Sequence, residues 1–152
     1  MARANEMGQN YYGRTLAAKA LLSLSPPILL CSSRTDFEKA IADAGYQTVS
    51  LNLPLARALA GMTVSDISPL INDKIREALP QSEPVFLTDY EMLFDPRYKL
   101  DIMRLFMDLS RKNKLIVKWR GAVDGNTVTY SEQGFEDYQR IRISDYDVSV
   151  VI

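Results

Sequence analysis

Hydrophobic positions in the middle of the chain follow two alternating patterns. Four short segments are predicted strands: three are continuously apolar or nearly so, as in strands that are buried on both faces of a sheet, and in the second Val49 and Leu51 face one way. These segments are residues 28–31, 46–53, 84–89 and 114–119. Between them apolar residues recur every three or four positions, which predicts amphipathic helices. The alternation predicts an α/β protein, a three-layer sandwich with a mainly parallel sheet covered on both faces.

The predicted helices have recognisable boundaries. Gly45 and Gly61 stand where helix ends are expected. Pro54 suits the first turn of a helix, and Ser65 could cap the start of another. The spacing predicts helices over residues 11–24, 37–44, 54–60, 67–79 and 101–111.

The pattern changes after residue 120. A turn sequence at residues 124–126 indicates a hairpin between short β segments. Residues 135–140 are expected to form a helical turn, and residues 148–152 a last strand. We find no repeat or composition break. The chain is therefore interpreted as one domain over residues 1–152, with an N-terminal helix (1–25), a parallel core (28–120) and a β-rich extension (121–152).

Composition excludes several classes of function. Among 152 residues there are 18 Lys and Arg against 19 Asp and Glu, so net charge gives no general attraction to nucleic acid. The absence of histidine excludes Ser-His-Asp catalysis and imidazole metal ligands. A single cysteine, Cys31, excludes an internal disulfide and suits a reducing compartment. Because no apolar run approaches the roughly 18–20 residues of a membrane span, we predict a cytoplasmic protein without membrane contact.

Residues 86–96, FLTDYEMLFDP, end an apolar strand in acidic residues. This is the pattern of the Walker B strand of P-loop NTPases, in which Asp89 would hold Mg²⁺ and Glu91 would orient a water molecule. The Gly-rich loop ending in Gly-Lys-Ser/Thr that should accompany it is absent from the chain. We therefore favour the alternative, in which the two carboxylates cap the next turn and pair with Lys118 or Arg120.

Polar residues follow all four predicted strands, and parallel strands bring such residues to one edge of a sheet. We expect the following residues to converge there: Ser32, Ser33 and Arg34; Asn52; Asp89 and Glu91; Lys118 and Arg120. Ser32, Ser33, Arg34 and Thr35 could form an anion-binding loop at a helix N-terminus. Asp36 opposes an anion at close range, so ordinary helix capping is favoured for this loop.

One cluster of basic and aromatic residues could contact the phosphate backbone or a base of DNA. It comprises Lys112, Lys114, Lys118, Trp119 and Arg120. The alternative is a solvated helix end that complements the helix dipole, with the tryptophan packed inside. The net charge of −1 favours this alternative.

Several of these segments together resemble the BrxF family, small P-loop-containing proteins of type III bacteriophage-exclusion (BREX) systems. The resemblance rests on LNLPLAR (51–57), TDYEMLFDP (88–96), LSR (109–111), WRG (119–121) and VTYSE (128–132). It implies a RecA/AAA-like P-loop NTPase fold. It also implies a place in an antiphage complex, beside a large ATPase, a methyltransferase and a phosphatase-like component.

The chain departs from that family at the phosphate loop. Residues 32–39, SSRTDFEK, contain no glycine, and Glu38 falls where the phosphate-binding lysine belongs. We therefore predict an accessory subunit without efficient ATP hydrolysis, which acts through protein partners. DNA contact and a homo-oligomer remain open. The alternatives are an atypical Mg²⁺-dependent ATPase that binds Mg-ATP or Mg-ADP, and an unrelated cytoplasmic interaction module.

Overall fold

The computed structural model of the chain describes residues 9–13 and 16–152. Its strands are β1 (Gln9–Tyr11), β2 (Ile28–Leu30), β3 (Gln47–Ser50), β4 (Val85–Thr88), β5 (Leu115–Lys118), β6 (Ala122–Asp124), β7 (Thr127–Tyr130), β8 (Gln139–Arg142) and β9 (Ser149–Val151). Six of them form one sheet in the order β1-β9-β2-β5-β4-β3, and every neighbouring pair in it is parallel. The predicted parallel sheet is confirmed.

Helices cover both faces of this sheet. They are α1 (Ala18–Leu21), α2 (Thr35–Asp43), α3 (Asn52–Leu59), α4 (Val64–Ile67), α5 (Ile71–Ala78) and α6 (Ile102–Leu109). Short 3₁₀ turns span Glu91–Phe94, Pro96–Tyr98 and Ile143–Asp145. Among the described residues no helix has both the length and the apolar character that crossing a membrane requires.

Side chains of alternate strand residues build one core on each face. Ile28 and Leu30 of β2 pack with Phe37 and Ile41 of α2 on one face. Leu29, between them in the strand, belongs to the core on the other face, with α3, α5 and α6. Because the central strands β2, β4 and β5 are buried on both faces, their sequences are continuously apolar, as the α/β prediction requires.

Two of the predicted helices are wrong in extent. Residues 11–24 were expected to form one helix, but Tyr11 ends strand β1 and only Ala18–Leu21 is helical, while residues 14–15 lie outside the described part. Residues 67–79 do not form one helix, since α4 ends at Ile67 and α5 begins at Ile71, because Pro69 has no N–H to donate to the Ser65 carbonyl. The first of them, α4, begins at a capping box made by Thr63 and Asp66, and not at Ser65.

The segment after residue 120 also differs from the prediction. No helical turn forms over residues 135–140, and strand β8 begins within that range. Strands β6, β7 and β8 form a separate antiparallel sheet, whose Val128 and Ile141 join the core beneath α6. Strand β9, expected in the extension, instead lies between β1 and β2 in the main sheet. Val128, Ile141 and strand β9, all from the C-terminal part of the chain, therefore complete a core that is built mainly by residues 28–118.

The connection from β2 runs toward β3 at one edge of the sheet, and the connection from β5 runs in the opposite direction, toward β9. Strands β2 and β5 are neighbours, and the backbone N–H of Trp119 donates to the Leu30 carbonyl at 3.0 Å. In open parallel sheets, ligands bind beyond the carboxyl ends of strands at such a reversal. This edge is therefore where a functional site is expected.

Candidate functional site

Polar side chains at the ends of β3, β4 and β5 form a connected network. The Ser50 hydroxyl donates to Asp89 at 2.7 Å, and the Asn52 amide donates to Glu91 at 2.8 Å. The guanidinium of Arg120 lies 3.5 Å from the other Glu91 oxygen. The predicted convergence of Asn52, Glu91 and Arg120 is confirmed. The pairing of a strand-end carboxylate with Arg120 matches the alternative that we favoured.

Asn52 positions the turn that follows β4. Its backbone N–H donates to the Asp89 carbonyl at 2.6 Å, and its side-chain oxygen accepts from the Met92 N–H at 3.1 Å. Sequence analysis identified Asn52 only as a strand-end polar residue and missed Ser50. Both could have been found from the parallel pairing of β3 with β4, which places Ser50 opposite Thr88.

The carboxylate of Asp89 is held on the side of β4 that faces the edge strand. Asp89 has a positive φ of 47°, a conformation that aspartate tolerates better than most residues. Its hydrogen-bond partner, Ser50, ends β3, whereas the loop after β2 lies beyond β5 on the opposite side. A Walker B carboxylate must instead face the phosphate loop in order to share a Mg²⁺ ion with it.

The loop after β2 uses its cation for internal contacts. The Arg34 guanidinium donates to the carbonyls of Gly13 at 2.5 Å and Leu16 at 2.6 Å. It also pairs with the Asp36 carboxylate through Nε at 2.9 Å and lies over the Phe37 ring. Pairing with Arg34 lowers the pKa of Asp36, and pairing with Asp36 raises the pKa of Arg34. A bound anion would therefore compete with an intact ion pair.

The predicted capping of α2 is wrong. The N-cap residue is Arg34, and no side chain makes a cap hydrogen bond there. Asp36 and Glu38 both lie in the first turn. Two carboxylates already complement the positive end of this helix, so an incoming phosphate would meet like charge.

The candidate anion loop nevertheless lines a cavity. Tyr12, Cys31, Ser32, Ser33, Arg34 and Ile152 surround a space of about 490 Å³ beyond the carboxyl ends of β2 and β9. Burial raises the pKa of the Cys31 thiol to about 12, so this side chain stays protonated and unreactive at neutral pH. The fourth loop residue, Thr35, is exposed at the start of α2. Among the described residues no group of three or more acidic or cysteine side chains could hold a metal ion.

Tyr90 connects the ends of β4 and β5 through hydrogen bonds. The sequence analysis did not identify this residue. Its hydroxyl donates to the Lys118 carbonyl at 2.6 Å and accepts from the Arg120 N–H at 3.2 Å. Its ring is fully buried and stands edge-on to Phe106. Burial raises the pKa of Tyr90, so its phenol remains neutral and serves the fold.

The basic and aromatic cluster does not form one surface. Lys112 and Lys114 precede β5, whereas Lys118 ends it, and four strand residues span about 13 Å. Lys118 pairs with Glu38 at 3.5 Å. Trp119 is buried, and its indole N–H donates to the Thr129 carbonyl at 3.2 Å, so its ring is not available for base stacking. The packed tryptophan agrees with the alternative to nucleic-acid binding.

A larger cleft opens beside Glu91. Its volume is about 780 Å³, and it is lined by Glu91, Met92, Asp95, Pro96, Arg97, Phe135, Glu136 and Asp137. Arg97 is engaged by Asp95 at 2.6 Å, and this pairing lowers the pKa of Asp95. The remaining charge in the cleft is acidic, which disfavours phosphate groups.

Comparison of the chain with protein-family models, with curated proteins and with solved structures finds no match.

Proposed function

We propose that this chain is a non-hydrolytic accessory subunit of a BREX-like antiphage complex, built on a P-loop-NTPase-like fold that lacks a phosphate loop. Its expected partners are the large ATPase, the methyltransferase and the phosphatase-like component of such a system. Three of the segments that carry the BrxF resemblance contain Asn52, Glu91 and Arg120. These residues contact one another in the structure, which supports a shared architecture at this edge of the sheet.

The strand order supports a relationship with RecA/AAA-like folds. In those folds one strand separates the strand that leads into the phosphate loop from the strand that ends in the Walker B acid. Here β5 lies between β2, which leads into the loop of Ser32 and Arg34, and β4, which leads into Asp89. The loop after β2 would therefore correspond in position to the phosphate loop, and Asp89 after β4 to the Walker B acid.

One observation carries the non-hydrolytic part of the proposal: both charged groups of that site are engaged elsewhere. Arg34 is bound by Asp36 and by two backbone carbonyls, and Asp89 is bound by Ser50 on the far side of β4. Nucleotide hydrolysis needs a cation at the phosphates and a carboxylate facing the Mg²⁺ ion. Neither requirement is met by these side chains.

Calorimetric titration with Mg-ATP and Mg-ADP, together with a phosphate-release assay, tests the proposal. We expect no phosphate release above the blank, and the same result for Asp89→Asn. Release that Asp89→Asn abolishes would overturn the proposal and establish an enzyme.

A second function is favoured by the cavity at the end of β2, which could admit a nucleotide without hydrolysing it. In that case the titration would show saturable binding of Mg-ADP, and Ser33→Trp would remove it by filling the cavity from an exposed loop position. Binding that survives Ser33→Trp would place the nucleotide elsewhere.

The defence role is tested by phage plating on cells that carry the complete gene set of the system. Removing this chain should restore plaque formation, while Asp89→Asn should leave protection intact. Unchanged protection without the chain would end the antiphage proposal.

A further inference from the structure

Helix α3 exposes an apolar face to solvent. At about 100° per residue its solvent-facing positions cover an arc of about 200°. These positions, and the two residues that follow the helix, are Leu53, Pro54, Ala56, Arg57, Ala58, Ala60 and Gly61. Leu53 is 57% exposed, although leucine is usually buried. The inward positions Leu55 and Leu59 already anchor the helix, so the outer face adds nothing to the core.

The other long surface helices differ in this respect. Helix α5 exposes Asp73, Arg76 and Glu77, and α2 exposes Asp36, Glu38, Lys39 and Asp43. A solvated helix face normally carries such charges. The exposed positions of α3 carry a single charge, that of Arg57. A helix face with so few charged groups costs little to desolvate, as the core of a protein interface requires.

Arg57 indicates the chemistry of that protein. Its guanidinium has no ion pair or hydrogen bond with any residue in the described part of the chain. It lies within the apolar arc, between Leu53 and Pro54 on the helical wheel. A partner that covers the arc would desolvate this cation and must therefore supply a carboxylate.

We propose that α3 binds an amphipathic helix of a partner protein, which places an apolar stripe on Leu53 and Ala56 and a carboxylate against Arg57. This rests on the proposed function, because it names the surface through which the subunit joins its complex. The small side chains of Ala56 and Ala58 allow two helix axes to approach closely. A second copy of the chain fits less well, since a twofold contact between α3 helices would bring two Arg57 cations together.

Site-specific photo-cross-linking in the native host cell tests the proposal. The photoreactive residue p-benzoylphenylalanine replaces Leu53 in one variant and the exposed Glu77 of α5 in the matched control. We expect a cross-link from position 53 alone, to a helical peptide of another protein that contains Asp or Glu. Arg57→Glu should reduce that cross-link about tenfold or more, and reversing the partner's carboxylate to Lys should restore it.

Three results would overturn the proposal: no cross-link above the position-77 control, a cross-link to a second copy of the chain, or a cross-link that Arg57→Glu leaves unchanged. Thermal unfolding of Arg57→Glu serves as the folding control and should match the unsubstituted chain, because the side chain is exposed.

The outcome is separable from that of the proposed function. A charge-dependent helix contact with a protein unrelated to defence would support the surface and refute the antiphage role. An intact defence complex whose assembly Arg57→Glu does not change would support the antiphage role and refute the α3 surface.

Discussion

The side-chain amide of Asn52 donates a hydrogen bond to the carboxylate of Glu91 at 2.8 Å, across 39 positions of sequence. The same amide accepts from the backbone N–H of Met92 at 3.1 Å. One side chain thus satisfies both a carboxylate and the first turn of the 3₁₀ segment Glu91–Phe94. A Walker-B-like carboxylate is in this way part of the internal structure of the sheet edge.

Replacing Asn52 by aspartate should destabilise the fold. The new carboxylate would face that of Glu91 and could not donate to it, so we expect a loss of about 1–3 kcal/mol in the free energy of unfolding. Urea denaturation measures this loss. Asn72→Asp, at an exposed position of α5, is the matched control and should change stability by less than about 0.5 kcal/mol. Equal effects of the two substitutions would contradict the assigned role of Asn52.

Tyr90→Phe should weaken the connection between β4 and β5. The substitution keeps the ring but leaves the Lys118 carbonyl and the Arg120 N–H without their hydroxyl partner. We expect a loss of about 1–3 kcal/mol. Denaturant unfolding should show this loss of free energy, while the slope of the free energy against denaturant concentration (the m value) stays unchanged. Tyr138→Phe, whose hydroxyl bonds to none of the described residues, provides the comparison.

The fold should lose stability in alkali. Burial raises the pKa of Tyr90 above its ordinary value of 10.0 and that of Cys31 from 9.0 to about 12. Above those ordinary values the unfolded chain releases protons that the folded chain keeps, so stability falls as pH rises from about 9. Below that pH the contribution of both groups is fully present.

Unfolding free energies measured between pH 8 and pH 11 test this dependence. Tyr90→Phe should flatten the decline above pH 10, and Cys31→Ala should flatten it from pH 9. A decline that neither substitution changes would mean that other groups control alkaline stability.

Gly121→Ala should disrupt the contact between the two sheets. A Cβ atom at Gly121 would lie 1.6 Å from the Thr129 carbonyl oxygen, which is backbone and cannot move aside alone. We expect a loss of at least about 3 kcal/mol, or failure to fold. Gly45→Ala meets no atom within 4 Å and should cost only about 1 kcal/mol, through its φ of 86°. Thermal unfolding of both variants gives the comparison.

The local pattern of hydrophobic residues was sufficient to predict the elements whose strand or helix signals were strong. The continuous apolar character of Ile28–Leu30, Val85–Thr88 and Leu115–Lys118 predicted buried parallel strands, and all three lie in the centre of the sheet. The predicted last strand is confirmed at Ser149–Val151, but its place in the main sheet was not predicted, and neither was strand β1 at Gln9–Tyr11. These three-residue strands owe their conformation to pairing with each other, and β9 also pairs with β2. A sequence separation of about 140 residues leaves no local signal of that pairing.

The sequence by itself determined the class of the fold and which polar residues lie at the carboxyl edge of the sheet. It did so because strand burial and strand direction follow from hydrophobic periodicity and short connections. Only the tertiary structure decided what those residues do. Whether Arg34 is available to an anion, and to which side Asp89 turns, depends on neighbours that are remote in sequence, Gly13 and Ser50. Hydrogen bonds and ion pairs are short-ranged, so they are fixed only once the packed chain brings their partners together.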